Sequence, residues 1–253
     1  MAATLALAAL ALYLLIGEPL LGHRAHRRLV ASLDAGASAA RQRFYRQWTW
    51  QGWALLAATL LVTLGLAHWT PTQLGLAAPR MPTGSVDGTP LSAWLISVCV
   101  GFGTALLLGA VLGLVQARRG AGQPAAPPRV PGGTGVLRML PRTAAERWGF
   151  AALAITAGIT EEVIWRGFGQ GLALQWLPHA PLAVPVAIAA LAFGWAHLYQ
   201  GWLGMLLAAV FGGLFGALYL ATGSLLVPIV LHVLIDLRAL LLRVPPVLAG
   251  PAP

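Results

Sequence analysis

The sequence predicts an all-α membrane protein, a polytopic bundle of about seven transmembrane helices. Hydrophobic residues make up 58% of the 253 residues and charged residues only 9%, whereas a soluble domain has about 45–50% and about 25%. Because a helix needs about 20 apolar residues to cross a bilayer, this length accommodates seven or eight crossings. A water-soluble globular protein is therefore excluded.

Seven apolar runs alternate with polar connections. They cover residues 2–21, 48–69, 91–116, 148–176, 182–198, 202–221 and 225–242. The fourth run is nearly 30 residues long, and a division near Gly158 or within 167–171 would give an eighth element. The N-terminal membrane region, 1–140, includes a Pro- and Gly-rich linker over about 118–141, and a core, 141–243, and a tail, 244–253, follow it.

The positive charges indicate orientation in a membrane. All 16 basic side chains besides histidine are arginines. Six are expected in the loop after the first run and six more lie between Arg118 and Arg147. This distribution is typical of cytoplasmic loops, with the N-terminus outside and the C-terminus, marked by Arg238 and Arg243, inside. We expect the arginines to contact membrane lipids and not nucleic acid, despite the net charge of +9.

Several other residues have structural interpretations. Trp48 and Trp69, near the ends of the second run, are expected to be interfacial anchors, and Cys99 to pack in an apolar run. Four histidines are expected to be interfacial or solvated: His23, His26, His68 and His179.

Ionisable side chains inside the apolar runs form the candidate site. Each costs about 2.5–3.5 kcal/mol at a helix centre, so such groups face a protein interior or a water-filled cavity. They lie on three runs, with Glu18 a further acidic residue at the edge of the first. The candidates are Glu161, Glu162, Arg166, His197, His232 and Asp236.

Their spacing predicts which side chains pair. Glu162 and Arg166 are four residues apart and share a helical face, whereas Glu161 points about 100° away, toward a cavity. His232 and Asp236 also share a face. One or two structural ion pairs would suffice for packing, so six such groups favour a functional site that positions a water, binds a metal, or does both.

Three motifs in this order resemble those of the CPBP intramembrane proteases. They are Glu161-Glu162-x-x-x-Arg166, Phe193-x-x-x-His197 and His232-x-x-x-Asp236. The family contains CAAX prenyl endopeptidases of the Rce type and bacterial Abi-like relatives, some linked to bacteriocin immunity. The resemblance covers about residues 143–243.

The resemblance implies a site within the membrane that opens toward the cytoplasm. Glu161 and His197 would activate the attacking water, His232 and residue 236 would stabilise the oxyanion, and Glu162 and Arg166 would brace the site. The prenyl endopeptidases carry Asn where this chain has Asp236. An ionised Asp cannot donate to an oxyanion, so Asp236 would orient His232, ligate a metal or stay protonated.

Two mechanisms compete. Glu161, His197 and His232 match a catalytic zinc set of two histidines and one carboxylate, which would make the chain a metalloendopeptidase. The His-Glu-x-x-His signature of many zinc proteases is absent. In the metal-free version, Glu161 is a general base. We favour water activation by carboxylate and histidine and leave a divalent metal such as zinc open.

The leading function is an intramembrane endopeptidase acting on a membrane-associated protein or peptide, of CAAX, prenylated or other C-terminal type. Alternatives are a non-catalytic immunity or scaffold protein that retains the motif, and a small transporter with the carboxylates as a proton relay. The Ala- and Arg-rich composition favours a bacterial cytoplasmic membrane.

The topology gives a first prediction. Reporter domains fused after Arg28 and after Thr83 should lie in opposite compartments, because the arginine-rich segments would then all face the cytoplasm. Activity of both reporters on one side of the membrane would contradict this topology.

Overall fold

The described part of the chain is almost entirely helical, which confirms the all-α bundle. The computed structural model describes residues 1–86, 88–119 and 133–242. The described residues do not include residues 120–132 of the linker, Arg243 or the tail 244–253. The predictions for these residues therefore stay predictions.

Eight helices carry the fold. They are α1 (Ala2–Asp34), α2 (Ala40–Leu66), α3 (Leu91–Arg119), α4 (Gly133–Met139), α5 (residues 144–176), α6 (Ala183–Ala196), α7 (Gly201–Thr222) and α8 (Leu226–Leu237). Single 3-10 turns are formed by Pro71–Leu74, Leu198–Gln200 and Arg238–Leu241. Two short antiparallel strands, β1 (Ser85–Val86) and β2 (Thr89–Pro90), form a hairpin before α3.

All of these helices except α4 coincide with the seven apolar runs. Within the described residues, four are long and apolar enough to cross a membrane: α1, α2, the Leu91–Gly109 part of α3, and α7 with the turn before it. The others are α5, which carries the charged residues, and the shorter α6 and α8. The long fourth run is one continuous helix, so it is not divided into two elements. The chain is an integral membrane protein.

The basic connection between the first two runs is much shorter than the sequence predicts. The prediction of one loop with six arginines is wrong, because α1 continues to Asp34 and α2 already begins at Ala40. All six arginines therefore lie on helices. Arginine is a good helix former, and its long side chain reaches polar surroundings from a helix end.

A capping box starts α5. The Thr143 hydroxyl accepts a hydrogen bond from the Glu146 backbone at 3.2 Å, and the Glu146 carboxylate accepts one from the Thr143 backbone at 3.2 Å. The same carboxylate lies 3.6 Å from the Arg41 guanidinium on α2. This reciprocal cap fixes the first turn of the helix that carries the candidate site.

Glycines let the helices around the site approach closely. A Cβ at Gly158 on α5 would lie 2.5 Å from the Val233 side chain on α8, and one at Gly194 on α6 would lie 2.6 Å from the Met205 carbonyl on α7. Small residues are the usual means by which membrane helices pack closely. Gly158 thus brings α5 next to α8 close to the ionisable residues of both.

The segment after α2 folds back into the bundle. Leu74 is completely buried. The Leu225 backbone donates to the Gly75 carbonyl at 2.9 Å, and the Ser224 hydroxyl donates to the Ala77 carbonyl at 2.6 Å. Gly75 has φ +72°, which a residue with a side chain rarely adopts. These bonds attach the N-terminal half of the chain to the start of α8.

Trp69 belongs to this buried segment. It is only 7% exposed and its ring centroid lies 6.2 Å from that of Phe168 on α5. The prediction that Trp69 is an interfacial anchor is therefore wrong, because the chain turns inward at the end of α2 and carries the indole with it.

The contact at Gly158 gives a prediction for stability. Gly158→Leu places a side chain in space occupied by Val233, so we expect it to lower the free energy of unfolding by about 1–3 kcal/mol, as overpacking does. The matched control is Gly109→Leu on α3, where a Cβ would meet nothing within 4 Å. Melting temperatures in one detergent compare the two, and equal values would contradict a tight contact between α5 and α8.

Candidate active site

Glu161 and Glu162 lie where α5 changes its hydrogen-bonding pattern. The α-helical part ends at Glu161, and a π-helical segment runs over Glu162–Gln170. Such segments are rare and occur frequently at functional sites. The Glu162 side chain is fully buried, whereas 32% of the Glu161 side chain is exposed. Glu161 is therefore the less buried carboxylate of the two, although its Oε2 atom is buried and has no hydrogen-bond partner among the described residues.

The Glu162–Arg166 ion pair forms as the spacing predicts. Nη1 of Arg166 donates to Oε1 of Glu162 at 2.9 Å, and both side chains are buried. The guanidinium carbon lies 4.0 Å from the Phe193 ring centroid and 5.5 Å from that of Phe215. Cation–π attraction at these distances favours the charged guanidinium. The arginine is thereby held between α5, α6 and α7.

His232 on α8 lies among three carboxylates. Its Nδ1 lies 2.7 Å from the Glu162 oxygen that also accepts from Arg166. Its Nε2 lies 3.9 Å from Glu161 and 3.7 Å from Asp236. Since a carboxylate that already accepts from arginine is ionised, Nδ1 of His232 is the donor to it. The other nitrogen faces Glu161 and Asp236 across a gap that one water can bridge.

His197 ends α6 next to this cluster. Its Nδ1 lies 2.8 Å from the Phe193 carbonyl, which accepts only, so that nitrogen carries the proton. In the neutral ring, Nε2 is then an acceptor. The Phe193 ring lies 4.5 Å from the His197 ring and 6.1 Å from the His232 ring, measured between centroids. Phe193 thus packs against both histidine rings.

The three candidate metal ligands do not form a complete set. Glu161 and His232 approach each other, but His197 pairs with no carboxylate among the described side chains. In that part of the chain, no three His, Cys, Asp or Glu side chains are arranged to hold a metal ion. A catalytic zinc site has three protein ligands. The residues as placed therefore do not fit one.

Other ionisable residues are placed differently from the predictions. His26 is buried, at 9% exposure, and its ring lies 5.8 Å from that of Tyr199. The prediction that His26 is interfacial or solvated is wrong, because α1 packs against the turn after α6. Glu18 accepts a hydrogen bond from the Tyr13 hydroxyl at 3.0 Å and lies 3.3 Å from the Gln51 amide. The hydrogen-bond partners of this carboxylate therefore come from α1 and α2.

Sequence reasoning did not find the contact between Glu162 and His232 or the role of Phe215. Besides lying over Arg166, the Phe215 ring centroid lies 5.8 Å from that of His232. Both contacts join helices that are distant in sequence, and helical spacing carries no signal for them. An apolar residue at position 215 on α7 looks like ordinary packing.

The part of the chain that contains these residues is similar to a known protein family. Residues 143–238 match the family described as type II CAAX prenyl endopeptidase Rce1-like. The chain carries an Rce1-like domain. The domain contains α5 to α8 and all six candidate residues, and it leaves α1 to α4 outside. Neither the curated proteins nor the solved structures give a match.

Within the Rce1-like domain, we expect the loss of the buried Glu162–Arg166 ion pair to lower stability strongly. Glu162→Ala leaves Arg166 buried without its carboxylate, so the free energy of unfolding should fall by about 3–5 kcal/mol. The control is Asp34→Ala, which removes the partner of Arg138 where the carboxylate is 59% exposed and should cost about 0–1 kcal/mol.

Replacing both members of the buried pair, Glu162→Leu with Arg166→Leu, should recover part of the stability lost in Glu162→Ala. Melting temperatures of the four proteins provide the comparison. If Glu162→Ala and the Asp34→Ala control have the same melting temperature, the Glu162–Arg166 pair does not stabilise the fold.

Proposed function

We propose that the chain is an intramembrane endopeptidase that hydrolyses a peptide bond in a membrane-associated protein or peptide. The observation that carries the proposal is a pair of partly exposed carboxylates, Glu161 and Asp236, beside one nitrogen of a histidine whose other nitrogen is anchored to a buried ion pair. A purely structural network would not need partly exposed carboxylates beside that histidine. The site belongs to an Rce1-like domain.

Glu161 is the general base of the proposed reaction. A carboxylate in a partly dry site takes a proton from water more readily than one in bulk solvent. Nε2 of His197 accepts the second hydrogen bond of that water, since Nδ1 is occupied by the Phe193 carbonyl. The water is thereby oriented with a lone pair toward the substrate carbonyl carbon.

The rest of the reaction follows from His232. The water oxygen bonds to the carbonyl carbon, the carbonyl π bond opens to an oxyanion, and the water proton moves to Glu161. In this step His232 carries a proton on both nitrogens, so that Nδ1 donates to Glu162 while Nε2 donates to the oxyanion. The carbonyl then re-forms, the C–N bond breaks, and Glu161 returns the proton to the leaving nitrogen.

The substrate class follows from the family and from the position of the site. The Rce1-like match indicates a CAAX-type substrate, cleaved near a C-terminus and prenylated or otherwise held at the membrane. Membrane lipids are the surrounding partners. We infer a bacterial cytoplasmic membrane from the Ala- and Arg-rich composition, and an N-terminus outside with a C-terminus in the cytoplasm from the positions of the arginine-rich segments.

The role of Glu161 gives the prediction that tests this function. Glu161→Gln keeps the size and hydrogen bonding of the side chain but removes the base, so turnover of a farnesylated CAAX-type peptide should fall by about 10²–10⁴. Because Glu161 is outside the buried ion pair, the melting temperature should change little. Initial cleavage rates and melting curves are measured on the same preparations in liposomes or detergent.

The control is Asp34→Asn, which changes an exposed carboxylate at the far end of α1 and should leave turnover intact. Full activity of Glu161→Gln would contradict its role as base. A folded wild-type protein that cleaves no peptide would favour the non-catalytic scaffold instead. Inhibition of the wild type by a chelator, with restoration by zinc, would assign the metalloendopeptidase class.

A further inference from the structure

Tyr199 follows His197 in the turn between α6 and α7, and its hydroxyl has an unused hydrogen. Nε2 of Gln200 donates to the hydroxyl oxygen at 3.0 Å. This bond occupies a lone pair and leaves the hydroxyl hydrogen available. Among the described residues, no acceptor is paired with that hydrogen. A bound substrate is then the natural acceptor.

The Tyr199 ring borders the candidate active site. The Tyr199 ring centroid lies 5.8 Å from that of His197, with the two planes tilted by 30°. Glu161 and Asp236, which flank Nε2 of His232, lie close enough to the hydroxyl for their charges to act on it, as does Glu18 on α1. Tyr199 thus lies beside the histidine that orients the water in the proposed mechanism.

This site is rich in acceptors and poor in donors. Nε2 of His232 is flanked by Asp236 and Glu161, and an ionised carboxylate only accepts. The Nδ1 hydrogen of His197 is used by the Phe193 carbonyl. Nη2 of Arg166 has no hydrogen-bond partner among the described residues, but the side chain is only 2% exposed and its guanidinium carbon lies over the Phe193 and Phe215 rings. An oxyanion on the substrate therefore meets His232 as a donor and lacks a second one from these residues.

Helix α1 fixes the position of Tyr199. A Cβ at Gly22 would lie 3.7 Å from Cδ1 of the Tyr199 ring and 4.0 Å from the Ala196 carbonyl. The ring of His26, one turn further along α1, lies 5.8 Å from the Tyr199 ring. A ring held from two sides directs its hydroxyl without a large loss of side-chain entropy on binding.

We propose that the Tyr199 hydroxyl donates a hydrogen bond to the oxyanion that forms on the substrate carbonyl, as the second donor beside His232. The inference rests on the proposed peptidase function and adds a catalytic residue to it. The donor is held in place by α1, which lies outside the Rce1-like match. No proton leaves Tyr199 in this role, because the hydroxyl only donates a hydrogen bond.

The test is Tyr199→Phe, which removes the hydroxyl and keeps the ring. We expect kcat for the farnesylated CAAX-type peptide to fall by about 10²–10³, as for loss of one oxyanion donor, with KM and melting temperature almost unchanged. A phosphinate analogue of the same peptide, which mimics the tetrahedral intermediate, should bind at least about tenfold more weakly. The control is Tyr219→Phe, whose hydroxyl donates to the Gln73 carbonyl at 3.1 Å; it should lose stability and keep kcat.

The results separate the possibilities. Equal kcat and equal phosphinate affinity in Tyr199→Phe and the wild type would overturn the role of Tyr199 while keeping the peptidase. A loss that appears in the melting temperature, with kcat per folded molecule unchanged, would also overturn it. An inactive, folded wild type would refute the peptidase and the role of Tyr199 with it.

Discussion

The buried Glu162 carboxylate joins α5 to α8 by accepting hydrogen bonds from Arg166 on its own helix and from His232 on the other. An isolated carboxylate in an apolar interior is penalised by several kcal/mol, and two charge-assisted donors offset that penalty. The same interaction holds the His232 ring with its Nε2 toward Glu161 and Asp236. Stability and chemistry therefore depend on one side chain, while Glu161, its neighbour, stays accessible.

The N-terminal helices complete a site whose ionisable residues all belong to the Rce1-like domain. The Trp195 indole on α6 donates to the Leu15 carbonyl on α1 at 2.9 Å, in the π-helical turn of that helix. On α2, a Cβ at Gly52 would lie 3.1 Å from the Thr160 hydroxyl, just before Glu161. Leu74, in the segment after α2, is buried against Gly167 of α5. The four helices of the domain thus pack against the residues that precede them, and the described residues form one bundle.

Contacts within one helix could be predicted from the sequence, and contacts between helices could not. The Glu162–Arg166 pair at 2.9 Å and the approach of His232 to Asp236 at 3.7 Å follow from four-residue spacing. The bond from His232 to Glu162 depends on which helices are neighbours, and sequence spacing does not encode that. The same reason explains His26 and Trp69, which look interfacial by position but are covered by other parts of the chain. The extent of α1 was missed because arginines on a helix end resemble arginines in a loop.

The central claim is that a water reached by Glu161 is added across a peptide bond inside the bundle. The most direct measurement incubates the wild-type chain, reconstituted in liposomes, with a farnesylated CAAX-type peptide in water enriched in ¹⁸O and analyses the products by mass spectrometry. We expect two fragments, the N-terminal one with a single ¹⁸O atom in its new carboxylate. An intact peptide after incubation with the folded protein would contradict it.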